Sequence, residues 1–130
     1  MLLDTSFLID VMKGHEAAVA RAKAIQREGA GARIPTPALF ELWRGVHLAA
    51  RTSDEERKVL GLLGVYPWAP LDGDGAAQAG EVDAALLRRG DQIDPEDSMI
   101  AGIALARGES ILTRDARHFG RIPGLRVETY

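Results

Sequence analysis

The sequence contains no cysteine in its 130 residues. This absence excludes a disulfide framework, a zinc-thiolate site and a thiol nucleophile, so any bound metal must take oxygen or histidine ligands. A chain without cysteine suits a reducing compartment, and we expect a cytoplasmic protein.

The sequence also lacks an excess of positive charge. It has 16 Lys and Arg against 19 Asp and Glu, and its formal net charge is -3. Such a balance provides no global electrostatic attraction for nucleic acid. Any function on nucleic acid must therefore come from a local site.

The sequence also lacks a repeat and a low-complexity linker. The first residues, MLLDTSFLID, have no basic stretch and carry aspartates inside their apolar run, so we expect neither a signal peptide nor a membrane anchor. With 46% hydrophobic residues, the chain is long enough for one core. We expect a single domain over residues 1–130.

Short apolar runs alternate with longer helical patterns, and this alternation predicts an α/β fold on a mostly parallel sheet. The predicted strands are Leu2 to Asp4, Ala32 to Ile34, Val65 to Trp68, Ser110 to Thr113 and Arg126 to Glu128. The predicted helices are Thr5 to Met12, Glu16 to Glu28, Pro37 to Ala50, Asp54 to Leu63, Gly75 to Arg89 and Pro95 to Arg107, with a short turn near Ala116.

Three of these helices have start signals. Thr36-Pro37 and Asp94-Pro95 each pair a capping side chain with proline at the first helical position, and Ser53 precedes an acidic first turn. Helix stops are predicted at four glycines, Gly29, Gly64, Gly90 and Gly108.

Asp4 and Asp115 each follow a short apolar run that we predict to be a strand. Both should lie near the carboxyl ends of strands, the edge at which open α/β sheets bind ligands. A structural alternative exists for each, because Asp4 could cap the next helix and Asp115 could be a polar turn residue. Taken singly, both interpretations stay open.

Asp97 and Glu41 lie on predicted helices. The neighbours of Asp97 at i+3, i+4 and i+7 form an apolar stripe, so its carboxylate points toward the core side. That orientation is costly without a cation or a hydrogen-bond partner, although Asp97 could also belong to a capping box with Asp94. Small residues one turn away from Glu41 leave room for a ligand or for another helix, and a solvated glutamate is the alternative.

Together, Asp4, Glu41, Asp97 and Asp115 offer carboxylate oxygens without histidine or thiolate. This donor set suits hard cations such as Mg²⁺ or Mn²⁺. Without a cation, the cluster would repel itself and raise some of its pKa values. The pattern therefore predicts a metal site but does not name a substrate.

Four stretches resemble the PIN-domain family, and within it the VapC-type toxins of toxin–antitoxin pairs. They span nearly the whole chain, in order: LLDTSFLID, TPALFELWRG, DPEDSMIAGIAL and LTRDARHFGRIPGLRVETY. The resemblance puts Asp4, Glu41 and Asp97 at the family's acidic positions. Asp115 falls where the family has asparagine or aspartate. The first stretch alone is weak evidence, whereas the four together are specific.

The resemblance implies a three-layer α/β fold, with a central, mostly parallel sheet flanked by helices, and a metal-dependent endoribonuclease activity using Mg²⁺ or Mn²⁺. In this chemistry, carboxylate-held cations activate water and stabilise the attacking and leaving oxygens. Asp4 and Asp97 would be the primary metal ligands. Glu41 and Asp115 would be further ligands or would orient the attacking water.

Other polar residues acquire roles only through this resemblance. Ser6 and Thr113 would support the ligands through their hydroxyls, or they could cap helices. Arg44, Arg114 and Arg117 are close in sequence to the proposed ligands and could attract an RNA backbone, or they could be solvated surface residues.

Acidic residues beside the third motif have structural roles at the start of the predicted helix. We interpret Asp94 as a helix cap and Glu96 as a first-turn charge that the helix dipole favours. A further acidic residue of the family often stands near His118. The three histidines of the chain have no ligand spacing and are expected at the surface or partly buried; they are His15, His47 and His118.

Two other functions are alternatives to this one. A phosphoryl-transfer or receiver-type α/β domain would need a second aspartate two residues after Asp4 or a late lysine, but Ser6 follows Asp4 at that distance and no lysine follows Lys58. A catalytically silent PIN-like module that binds RNA or protein would keep the scaffold, and the intact acidic set argues against it.

Three binding partners are expected: an RNA substrate, an antitoxin and a second copy of the chain. An RNA substrate and a VapB-like antitoxin follow from the resemblance, with a basic antitoxin residue entering the acidic cluster and an apolar helix occupying the groove between the third and fourth predicted helices. A homodimer is expected partly from the family resemblance and partly because the third predicted helix has more apolar side chains than one buried face needs: Phe40, Leu42, Trp43, Val46 and Leu48.

Overall fold

A computed structural model describes all 130 residues of the chain. Its elements, in chain order, are β1 (Leu2–Leu3), α1 (Thr5–Met12), α2 (Glu16–Glu28), β2 (Ile34–Pro35), α3 (Thr36–Leu48), α4 (Thr52–Leu63), β3 (Trp68–Ala69), α5 (Gly73–Arg89), α6 (Pro95–Arg107), β4 (Ile111–Leu112), α7 (Ala116–Phe119) and β5 (Val127–Glu128). None of these helices combines the length and the apolar composition needed to span a membrane.

The strands form a parallel arrangement centred on β1. β1 pairs with β4, β4 pairs with β5, and β2 pairs with β3, all in parallel register. A parallel bridge between Leu2 and Arg33 joins the two groups, so the spatial order is β3-β2-β1-β4-β5. The predicted mostly parallel α/β sheet is confirmed.

Both faces of the central strands are covered. Leu2 and Leu3 point to opposite faces of the sheet, as do Ile111 and Leu112, because successive side chains alternate along a strand. All four are fully buried. Helices must therefore pack on each side of the sheet, which is the three-layer arrangement that we expected.

The strand order places two carboxyl ends side by side. From β1 the chain proceeds to β2 on one side, and it later returns through β4 on the other, which creates a switch point between β1 and β4. Crevices at such points are the usual ligand sites of open α/β sheets. The Asp4 amide donates to the Leu112 carbonyl at 3.0 Å, and this bond closes the base of the crevice.

Three helices, α1, α2 and α6, have the bounds that were predicted. Gly29 and Gly108 end α2 and α6 in the left-handed region, with φ of 62° and 65°, where a residue with a Cβ is strained. The strands are shorter than predicted. In particular, β3 begins only at Trp68, because the amides of Val65 and Tyr66 bond to Leu62 and prolong the turn after α4.

None of the three predicted capping side chains caps its helix. Thr36 is the first residue of α3, and its hydroxyl accepts the Leu71 amide at 3.0 Å, so it holds the chain after β3 instead of capping α3. Ser53 lies inside α4, which begins at Thr52. Asp94 does occupy the N-cap position of α6, but its side chain makes no capping hydrogen bond.

The helix that carries Asp97 is held by close packing against α5. A Cβ on Gly102 would collide with the Gly75 carbonyl and with Ala79, so only glycine allows the two backbones to come this near. Ser98 adds a hydrogen bond of 2.7 Å to Asp83 across the same interface. The position of Asp97 relative to the sheet is therefore set by α5 as well as by α6 itself.

Candidate active site

A cleft of about 310 Å³ opens at the carboxyl ends of β1 and β4. Polar and charged side chains line most of it, and the cleft includes all four predicted site residues. Its lining comprises Asp4, Thr5, Ser6, Ile9, Glu41, Asp94, Asp97, Thr113, Arg114, Asp115, His118 and Phe119. The fold thus brings together carboxylates from four distant parts of the sequence.

Asp4 lies at the base of the cleft and is 6% exposed. Its Oδ2 accepts hydrogen bonds from the Ser6 hydroxyl at 2.6 Å and from the Thr113 hydroxyl at 2.8 Å. Although Asp4 stands at the N-cap position of α1, its side chain makes no capping bond. The two hydroxyls therefore orient the carboxylate into the cleft, and the capping alternative does not apply.

Glu41 approaches from α3. Its Oε1 accepts a hydrogen bond from the Thr5 hydroxyl at 2.8 Å, and its Oε2 lies 3.9 Å from the Arg44 guanidinium. Burial raises the pKa of Glu41, and the negative charges of Asp4 and Glu96 add to the effect, although the hydrogen bond from Thr5 opposes it. Glu41 is therefore a member of the acidic cluster and not a solvated glutamate.

Asp97 projects from the first turn of α6 with its side chain 17% exposed. Burial, followed by the charges of Asp4 and Glu41, raises the pKa of Asp97 from 3.8 to about 6. A partly compensating group is His118, whose Nδ1 lies 3.5 Å from Oδ2 of Asp97. The carboxylates of three elements thus repel one another, as the sequence predicted.

His118 is a site residue that the sequence analysis missed. Its 49% exposed side chain agrees with the prediction that it is at the surface or partly buried, but the sequence analysis gave it no part in the site, whereas α7 brings it against Asp97. The available signal was its position three residues after Asp115, where the family often has an acidic residue. Its role depends on a contact between α7 and α6, and the spacing of residues within one motif cannot predict that contact.

Asp115 lies at the rim with a different set of contacts. Its Oδ1 accepts the Arg117 amide at 2.9 Å, and the Arg117 guanidinium reaches both carboxylate oxygens at 3.3 Å. Hydrogen bonds from Arg117 lower the pKa of Asp115. Asp115 therefore behaves as the capping turn residue of the structural alternative, although it borders the same cleft.

Asp94 was interpreted as a helix cap, but it also lines the cleft. Since its side chain makes no capping bond, its carboxylate remains available on the side of Asp97. Its charge contributes to the raised pKa of Asp97. The sequence identified the helix start correctly and missed this second contribution.

The donor chemistry of the cleft fits a hard divalent cation. Carboxylate and hydroxyl oxygens predominate, and the mutual repulsion of Asp4, Glu41 and Asp97 is the kind that a bound cation relieves. In the present side-chain positions, no three acidic or histidine residues converge closely enough to hold one ion. The cleft therefore suits a hard divalent cation by the type and charge of its donors, and not by their present positions.

Comparisons with known proteins agree with this fold. The PIN domain family matches residues 1–125. The tRNA(fMet)-specific endonuclease VapC of Salmonella typhimurium is 33% identical over 97 residues, which cover 75% of this chain and 74% of that protein. The protein of the same name from Shigella flexneri is 31% identical over 129 residues, which cover 99% of this chain and 96% of that protein.

A solved structure extends the likeness to three dimensions. The crystal structure of DNA-bound VapBC from Salmonella typhimurium contains a chain that matches with a TM-score of 0.89 and 30% identity, covering 98% of this chain and 96% of that one. The match includes all the elements that build the cleft, since it extends over nearly the full length. This chain belongs to the PIN-domain family and, within it, to the VapC type.

Proposed function

We propose that this chain is a metal-dependent endoribonuclease toxin that hydrolyses RNA phosphodiester bonds and is neutralised by a VapB-like antitoxin. The observation that carries the proposal is that Asp4, Glu41 and Asp97 line one cleft at the switch point of a parallel sheet. A cluster kept at an energetic cost, with dedicated hydroxyl partners, is typical of a functional site.

Each residue has a part that its contacts support. Asp4, oriented by Ser6 and Thr113, and Asp97, on the facing helix, are the residues that would hold Mg²⁺ or Mn²⁺. Glu41, with one oxygen bonded to Thr5, orients water or completes the ligand set. When bound, the cation activates water and stabilises charge on the reacting phosphate.

Asp115 has a more conditional part in the same reaction. Its two oxygens are engaged by Arg117 at the rim, so it can ligate or orient water only after that pairing opens. We therefore rank Asp115 after the other three carboxylates in its expected effect on cleavage.

Cleavage of RNA by the purified chain tests the proposal. Asp4→Asn and Asp97→Asn each remove one charge at nearly constant volume, and we expect each to lower cleavage by about 100-fold or more in Mg²⁺ or Mn²⁺. Asp74→Asn is the matched control, because Asp74 is exposed on α5 outside the cleft. Wild-type cleavage that survives a chelator, or variants as active as the control, would refute the metal site.

The RNA target is proposed from the relatives. Both curated relatives carry names that specify tRNA(fMet), so initiator transfer RNA is the first substrate to test. Elongator methionine transfer RNA is the matched control substrate. Equal cleavage of the two would reject the proposed selectivity while leaving the ribonuclease activity intact, and a catalytically silent module would cleave neither.

A candidate antitoxin site adjoins the cleft. A groove of about 310 Å³ runs between α1, α3 and α4, with an apolar floor that includes Met12, Leu42 and Val59. Glu41 borders both this groove and the cleft. We propose that an apolar antitoxin helix occupies the groove and directs a basic side chain into the carboxylate cluster, in competition with the metal.

Replacing that basic antitoxin residue by alanine tests this mode of inhibition. We expect inhibition to fall more steeply than binding, because the apolar helix would remain in the groove. The matched toxin variant is Gly45→Leu, which fills the groove from α3, where a Cβ meets no other atom within 4 Å. Unchanged inhibition after the alanine replacement would leave occlusion of the RNA as the better account.

Homodimerisation is proposed from the exposed part of α3. Leu42 and Val46 are buried in the core, whereas Phe40 is 53% exposed and Leu48 is 80% exposed. A symmetric pairing would cover these two side chains. Light scattering at micromolar concentration should give the mass of a dimer, and Phe40→Ser with Leu48→Ser should shift it to a monomer.

A further inference from the structure

A buried carboxylate that the catalytic scheme does not use lies next to the cleft. Asp10 is only 4% exposed, although ionised side chains are almost never buried without a partner. Its two oxygens are satisfied by different residues. The Arg114 guanidinium donates to Oδ1 at 2.8 Å, and the Tyr130 hydroxyl donates to Oδ2 at 2.7 Å.

Tyr130 is itself held firmly. Its ring meets the fully buried Phe7 edge to face, with ring centroids 5.0 Å apart. Burial and the neighbouring Asp10 raise the pKa of Tyr130 far above its ordinary value, so its hydroxyl stays protonated and remains a donor. Tyr130 therefore holds the second oxygen of Asp10 while the first oxygen faces Arg114.

Arg114 is anchored at two points. Its backbone amide donates to the Ser6 hydroxyl at 3.1 Å, and the same hydroxyl donates to Asp4. Its side chain is 60% exposed even though one nitrogen is bonded to the buried Asp10. A guanidinium has five N–H donors, so most of them stay free to meet a ligand.

Among the arginines near the cleft, only Arg114 combines this position with free donors. It is the single arginine or lysine in the cleft lining, which has five carboxylates. Arg117 is engaged by Asp115, and Arg44 lies 3.9 Å from Glu41 with its guanidinium over the Phe40 ring. A phosphate that enters an acidic cleft needs a fixed positive partner to offset the repulsion.

We propose that Arg114 binds a backbone phosphate of the RNA next to the scissile bond, and that Asp10 and Tyr130 are positioning residues that preset its guanidinium. The inference rests on the proposed ribonuclease function and deepens it by assigning the substrate contact. Presetting reduces the side-chain entropy that a flexible arginine would lose on binding. A planar fork that is held at one nitrogen also suits phosphate geometry.

Steady-state cleavage of initiator transfer RNA separates the roles. Arg114→Ala should raise KM by about 10-fold or more with a smaller change in kcat, since a charge-assisted phosphate contact is lost. Asp10→Asn and Tyr130→Phe should raise KM by about 3- to 10-fold although the charge of Arg114 is retained. Arg88→Ala is the matched control, because Arg88 is exposed on α5 and lies outside the cleft.

Binding measured in an Asp97→Asn background, which is designed to prevent cleavage, provides a second readout. Loss of one phosphate contact should reduce the slope of log affinity against log salt by about 0.7 to 0.9 for Arg114→Ala. In a double-mutant cycle, Asp10→Asn should add nothing once Arg114 is alanine. A purely structural Asp10 would instead weaken binding equally in both backgrounds, and that result would overturn the positioning role.

The outcomes distinguish this inference from the proposed function. If the wild type cleaves the RNA but Arg114→Ala matches Arg88→Ala in KM and salt slope, the phosphate contact is refuted and the ribonuclease stands. If the wild type neither cleaves nor binds the RNA, the proposed function fails and the inference fails with it. Should Asp10→Asn unfold, Tyr130→Phe, which removes a single oxygen, tests the same positioning role in a milder variant.

Discussion

Acidic side chains have opposite electrostatic surroundings at the two edges of the parallel sheet. At the amino ends of the strands, Glu109 accepts from the Met1 amino group at 2.6 Å, from Arg33 at 2.7 Å and from Arg107 at 2.9 Å. At the carboxyl ends, Asp97 faces other carboxylates and has only His118 as a nearby basic group.

The pKa values record the same contrast. Burial alone would raise the pKa of Glu109, but hydrogen bonds from the Met1 amino group and Arg107 hold it below the ordinary 4.5. The pKa of Asp97 rises to about 6, because burial is reinforced by Asp4 and Glu41. A saturated carboxylate stabilises the fold, whereas an unsaturated cluster costs stability and leaves room for a cation.

Of the changes that test this contrast between the two edges, the addition of a divalent cation should have the largest effect on the stability of the fold. We expect Mg²⁺ or Mn²⁺ at about 100 times its Kd to stabilise the fold by about 2.7 kcal/mol, because the ion binds only the folded cluster. Asp97→Asn should abolish most of this gain, and Glu109→Gln should retain it. Thermal unfolding of each variant with the metal and with a chelator makes the measurement. Equal gains for the two variants would place the ion away from the carboxyl edge.

Neutralising Glu109 at the amino edge should have the next largest effect on stability. Glu109→Gln breaks three charge-assisted contacts, and we expect the free energy of unfolding to fall by about 2 kcal/mol. RNA cleavage by the folded variant should stay at the wild-type level, since Glu109 is remote from the cleft lining. Urea titration of Glu109→Gln and of Glu81→Gln, an exposed control, provides the comparison. A loss no larger than that of the control would mean that solvent screens these contacts.

The pH dependence of that loss follows from the lowered pKa of Glu109. A carboxyl whose folded pKa is depressed stabilises the fold fully above its unfolded pKa, and the contribution is lost as pH falls through the folded value. The gap between wild type and Glu109→Gln should therefore be constant near neutrality and shrink as the pH falls below about 4.5. Unfolding midpoints at several pH values would show it, and a gap that persists at pH 2 would contradict the assignment.

The smallest expected effect is a gain of stability when Asp97, at the carboxyl edge, is neutralised. A carboxyl with a raised folded pKa loses stabilisation as pH rises from its ordinary 3.8 through about 6, so ionised Asp97 is destabilising at pH 7. With a chelator present, Asp97→Asn should raise the free energy of unfolding by about 1 kcal/mol, which is less than the pKa shift alone implies because side chains can relax. The gain should disappear at pH 4. A loss of stability at pH 7 would show that Asp97 is already compensated without metal.

Much of the helical structure could be predicted because its signals are local. α1, α2 and α6 have the predicted bounds, since periodic apolar residues and terminal glycines act within a few residues of each helix end. The strands could not be delimited in the same way, because each forms only two paired residues and pairing depends on a distant partner. Thr36 illustrates the limit, since its hydroxyl bonds to Leu71, 35 residues away, in place of its own helix.

The candidate site likewise has features that the sequence predicted and features that it did not. Its acidic residues were identified from four ordered motifs, because residue type and order are properties of the sequence. The motifs did not show that Asp115 is engaged by Arg117 or that His118 reaches Asp97. The first contact is local to the start of α7, whereas the second depends on the placement of α7 against α6, which no motif contains.

The sequence by itself determined the donor chemistry, the helical segments and the family of this chain, because these follow from residue identity, spacing and order. Only the tertiary structure decided which charges are neutralised. Glu109 and Asp97 are both partly buried acidic residues, yet one meets three cations and the other meets carboxylates. The same holds for Asp10, whose partners Arg114 and Tyr130 are 104 and 120 residues away. The energy of a charge depends on its distance from other charges and from water, and folding alone sets those distances.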